Sequence, residues 1–80
     1  MDKRRKIYVL PASKALYVFG RRSGITNIPK NSQLVTVYYE HMADSFHLIV
    51  ECEDFPPVPE GVLYERVICE VEIVKRRDTK

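Results

Sequence analysis

The residues best equipped for chemistry form a cationic, glycine-bounded stretch, Gly20-Arg21-Arg22-Ser23-Gly24, followed by Thr26, Asn27, Lys30 and Asn31. Glycines let backbone N–H groups converge on an anion, arginines grip phosphate through paired bonds, and hydroxyls add donors. The expected ligand is a small phosphate-bearing molecule held by Arg21, Arg22, Ser23, Gly24, Thr26 and Lys30. Tyr17 or Tyr38 would stack on a base or anchor an interface. The spacing is neither a Walker loop nor a dinucleotide fingerprint. The competing reading is a helix end capped at Gly20, with two arginines on its negative pole and a solvated turn beyond.

Three other groupings carry less chemistry. Glu51, Glu53, Glu70 and Glu72 alternate along two strands expected to be adjacent, where they form either a cation site or acid/base pair or, more ordinarily, a solvated face balanced by nearby cations. His41 falls by a turn and His47 points outward beside Glu40, with no nucleophile at a catalytic spacing. Cys52 and Cys69 lie on apolar strand faces and read as buried thiols, with a cross-strand disulfide as the alternative. Zinc needs about four ligands, and neither a Cys-x-x-Cys nor a close Cys/His pair is present. No catalytic residue, cofactor or metal is assigned.

The elements that must position these residues centre on a hairpin from Gln33 to Asp54. Val35, Val37 and Tyr39 alternate with Thr36, Tyr38 and Glu40; Phe46, Leu48, Val50 and Cys52 alternate with His47, Ile49 and Glu51. This period of two marks half-buried strands. Pairing Val37 with Val50 leaves Met42 to Ser45 as a four-residue turn; a slip of two residues keeps the faces matched equally well. The outer face then carries Tyr38, Ile49, Ile68 and Val74 among carboxylates, a candidate association surface.

Before the hairpin, Ile7 to Leu10 reads as a short buried strand stopped by Pro11, with residues 1–5 frayed. Ala12, Ala15, Leu16 and Phe19 then fall on one stripe of a helix opening at Pro11, against the competing reading of a strand over Ala15 to Phe19. Gly20 to Gln33 reads as a long polar loop pinned by Ile25 and Ile28. After the hairpin, DFPPVPEG favours a stiff extended crossing anchored by Phe55 and Val58. Arg66 to Lys75 reads as one last strand with Val67, Cys69, Val71 and Ile73 inward, and residues 77–80 as a frayed tail. The fold class is α+β: one domain over 1–80, a mostly antiparallel sheet of three or four strands with one short helix on a face.

Eighty residues with 45% hydrophobic and 30% charged side chains suit a small globular domain that gains from oligomerisation. A net charge of +2 is too small to indicate nucleic acid. No run approaches a membrane span and no signal-peptide core follows the basic start, so the expected location is the cytoplasm.

Three segments, Pro29 to Glu40 (PKNSQLVTVYYE), Ser45 to Glu51 (SFHLIVE) and Phe55 to Gly61 (FPPVPEG), together resemble short phage- and prophage-encoded accessory proteins of unassigned role. The shared pattern is a hairpin running into F-x-x-V-P-E-G; where the family often continues with Ile-Pro, this chain has Val62-Leu63-Tyr64. The resemblance transfers no catalytic residue. It implies a bacterial host and a non-enzymatic role, either binding a host protein or sequestering a nucleotide signal of antiviral defence; with the cationic loop and the small size of the chain, the leading expectation is capture of a cyclic-nucleotide-type signal by a homo-oligomer. The alternatives are a protein–protein module that regulates a host factor through its outer sheet face, and weak nucleic-acid binding.

Overall fold

The computed structural model describes residues 3–19 and 23–73, apart from the side chains of Leu16, Tyr17, Ser23 and Ile73. Their order is β1 (Arg5–Pro11), α1 (Ala12–Phe19), β2 (Ser23–Ile25), β3 (Gln33–Glu40), β4 (Ser45–Glu51), β5 (Glu65–Ile68) and β6 (Val71–Ile73). Four strands form one sheet in the order β3-β4-β1-β5, and β2 pairs with β6 in a second. The fold is α+β, as expected, although β5 runs parallel to β1.

β1 is the central element. It pairs antiparallel with β4 from Arg5 opposite Glu51 to Pro11 opposite Ser45. Its inner side chains Tyr8 and Leu10 are buried against Val50, Cys52, Phe55, Cys69 and Ala15 of the helix. The start of the chain, expected to fray through residue 5, is tied down from Lys3. Val58 N–H donates to the Lys3 carbonyl (2.8 Å), Cys52 N–H to the Arg4 carbonyl (3.0 Å), and the Arg4 guanidinium to the Phe55 carbonyl (2.8 Å). The proline-rich crossing therefore acts as a strap: it cannot form a helix or a central strand, and instead carries Phe55 under the sheet.

The helix forms where its stripe predicted, but starts at Ala12 because Pro11 is still in β1. Ala12 N–H donates to the Asp44 carbonyl at the hairpin turn (3.0 Å), which docks the helix start. Ala15 and Val18 face the core, while Phe19 is exposed and meets the edge of the Phe46 ring at 5.5 Å between centroids.

The hairpin register differs from the expected one by two residues. Val37 lies opposite Leu48, Tyr39 opposite Phe46 and Glu40 opposite Ser45, so the turn is His41–Asp44. Ala43 N–H donates to the Glu40 carboxylate (2.8 Å), Tyr39 hydroxyl donates to Asp44, and Asp44 takes the left-handed φ of 50° that closes the turn. An aspartate tolerates that conformation better than most residues, which places the turn one residue earlier than face matching alone could. Between Leu34 and Thr36 the register shifts at a bulge, taking Val35 out of the inward set.

The last strand is broken in two. After Cys69 the chain leaves the main sheet, and residues 71–73 pair with β2 inside what the sequence presents as a loop. Cys69 N–H still donates to the Val9 carbonyl (2.8 Å), so the departure comes at Glu70. Asn27 holds that corner from both sides: its Nδ2 donates to the Ile68 carbonyl (2.9 Å) and its Oδ1 accepts from Glu70 N–H (3.0 Å). Thr26 N–H and hydroxyl both donate to the Glu70 carbonyl (2.8 and 3.2 Å).

Candidate functional site

In the phosphate stretch, Arg21 and Arg22 lie outside the described residues, as do the side chains of Ser23 and Tyr17. Of the described remainder, Gly24, Thr26, Asn27 and Asn31 make contacts that build the fold. Gly24 sits exposed in β2 opposite Glu72, and a Cβ there would meet no atom within 4 Å, so neither close approach nor a left-handed backbone requires glycine. The Thr26 hydroxyl proton is taken by Glu70, and both ends of the Asn27 amide are used. Asn31 Nδ2 donates to Asp54 (3.1 Å), and Asn31 Oδ1 accepts from the Cys52 thiol (3.4 Å). Lys30 is exposed.

The glutamates are not on adjacent strands, because β1 runs between β4 and β5. Glu51 lies 3.5 Å from Arg5, whereas Glu70 is at the corner after β5 and Glu72 is in the second sheet. No metal-holding cluster of histidine, cysteine or carboxylate side chains occurs among the described residues. Both cysteines are free and buried, and burial pushes the Cys69 thiol up to about 11.

His47 departs most from expectation. It points to the outer face, yet only 3% of it is exposed. β4 is an interior strand, and Val9 flanks His47 on one side and Tyr38 on the other. The Tyr38 ring tilts over the imidazole at 5.1 Å, with its hydroxyl 3.2 Å from Nδ1. Tyr38 thus closes over a polar group and still leaves 42% of its own surface exposed. His41 is exposed in the turn.

The feature the sequence pattern understated is β3 itself. It is an edge strand, and every residue from Gln33 to Tyr39 is exposed. Leu34 (57%), Val37 (42%) and Tyr39 (48%) lie exposed on the inner side, where the short helix stops at Phe19; Tyr38 lies on the outer side. An edge strand carries a row of backbone donors and acceptors without a sheet partner, and proteins blunt such edges with lysine, proline or inward charge. From Gln33 to Tyr39 there is no charge and no proline, and Glu40 is the first charged residue. The bulge at Val35 interrupts the edge at one end and leaves Thr36 to Glu40 in regular register. The opposite edge, β5, is four residues long and carries Glu65 and Arg66. Beside it an apolar hollow of about 340 Å³ is lined by Ile7, Val62, Leu63, Tyr64 and Arg66.

No family model, curated protein or solved structure matches the chain. No helix among the described residues is long and apolar enough to cross a membrane.

Proposed function

We propose that the protein is a non-enzymatic binding module whose recognition element is β3, to which an extended segment of polypeptide adds as a further strand. The observation that carries this reading is an eight-residue edge with apolar side chains exposed on both faces and no charge before Glu40. In strand addition, main-chain hydrogen bonds supply affinity and alternate side chains supply selectivity. β3 offers both: Val37 and Tyr39 on one face, Thr36 and Tyr38 on the other. This favours regulation of a protein partner over capture of a phosphate-bearing signal, because the Thr26 hydroxyl and the Asn27 amide already serve the β5–β6 corner.

The test is amide hydrogen exchange with and without a capped, strand-forming heptapeptide rich in Val, Thr and Tyr, run in parallel with inorganic phosphate and a cyclic dinucleotide. Slowed exchange confined to residues 33–40 is expected with the peptide. Protection of residues 20–31 by either phosphate compound, with none at 33–40 by peptide, would replace this reading with the nucleotide one.

A further inference from the structure

Resting on that reading, we infer that the strand added at β3 is the β3 of a second copy, joined antiparallel about a two-fold axis at Tyr38. A strand that pairs with itself must be compatible with its own reversal. The regular stretch Thr36 to Glu40 has Tyr38 at its middle, so the axis sets Thr36 opposite Glu40, Val37 opposite Tyr39, and Tyr38 opposite its own copy. Directly opposed residues share a face in an antiparallel pair, so Val37 and Tyr39 extend one inner apolar surface across both subunits. The single charge, Glu40, meets threonine rather than another carboxylate, which avoids the cost of like charges placed opposite each other. The bulge at Val35 lies outside the paired stretch.

The small core supports the same occupant, since chains of this size gain stability by association. Among the described residues, seven hydrophobic side chains are buried and three of them, Leu10, Val50 and Cys52, fully so, which is a thin core. Edge-to-edge pairing would shield Val37 and Tyr39, each set against the other's copy on the continuous inner face.

Sedimentation equilibrium of the full chain from micromolar to submillimolar concentration, paired with amide exchange at both limits, tests the assignment. A dimer of twice 9.4 kDa is expected, with exchange of residues 33–40 slowing as it forms. Val37→Lys places an inward charge on the edge and should weaken the dimer roughly tenfold or more. Val37→Thr, which keeps an uncharged β-branched side chain, should preserve it. A dimer that survives in folded Val37→Lys overturns the inference; so does wild-type exchange at 33–40 that does not change with concentration, a result that holds even if the lysine variant folds poorly. A wild-type monomer throughout the range also overturns it, while peptide protection of β3 in that monomer would leave the strand-addition reading standing. A dimer with unprotected β3 would overturn the inference as well, and the peptide experiment alone would then decide the strand-addition reading.

Discussion

Replacing Asn27 by alanine tests the corner that redirects the chain from one sheet to the other. Asn27 makes two hydrogen bonds there, to the Ile68 carbonyl at 2.9 Å and from Glu70 N–H at 3.0 Å. A typical intramolecular hydrogen bond contributes about 0.5–1.5 kcal/mol net, and these two are solvent-accessible, so their loss should cost about 1–2 kcal/mol in total. For a domain of this size that lowers Tm by roughly 5–12 °C. Urea unfolding gives the global value, and exchange of the Glu70 amide gives the local one. Asn27→Asp separates the two bonds: it keeps the acceptor for Glu70 N–H but sets a carboxylate oxygen against the Ile68 carbonyl. It should therefore be no more stable than alanine, even though Glu70 keeps its partner. Unchanged stability together with unchanged Glu70 exchange in Asn27→Ala would refute the corner role and free this residue for a ligand.

Further expectations follow from the core and the outer face. Leu10 is fully buried on the central strand, so Leu10→Ala should cost about 2–5 kcal/mol in chemical denaturation. Tyr38→Phe removes the hydroxyl 3.2 Å from His47 Nδ1; a loss of about 0.5–1.5 kcal/mol is expected, with a change in the His47 ring resonances, and unaltered resonances would contradict that contact. Burial raises the Cys69 thiol from 9.0 to about 11, so the unfolded chain releases this proton first. The stabilising contribution of the neutral thiol is complete below pH 9 and is lost as pH rises towards 11, to a limit of order 2–3 kcal/mol. Tyr8 is also raised, chiefly by burial, and adds in the same direction. In Cys69→Ala the fall in Tm between pH 9 and 11 should be shallower than in the wild type.

Strand periodicity, the helical stripe after Pro11 and the proline-rich crossing were legible in the sequence because each is a local pattern: alternation, a 3.6-residue repeat and a missing N–H. The α+β class followed from them. Local patterns do not say which strand lies beside which. That β1 inserts between β4 and β5, separating the glutamates and burying His47, depends on contacts between distant segments. The same holds for the loop donors: Thr26 and Asn27 resemble anion ligands in sequence, and only the arrival of Glu70 reveals what they bind. Hairpin register lay between these cases, since two registers matched the faces and the Asp44 turn selected one. The exposure of β3 was the least legible feature of all. Its alternation marks a strand equally well in the middle of a sheet or at its rim, and strand order decides which of its groups go unpaired.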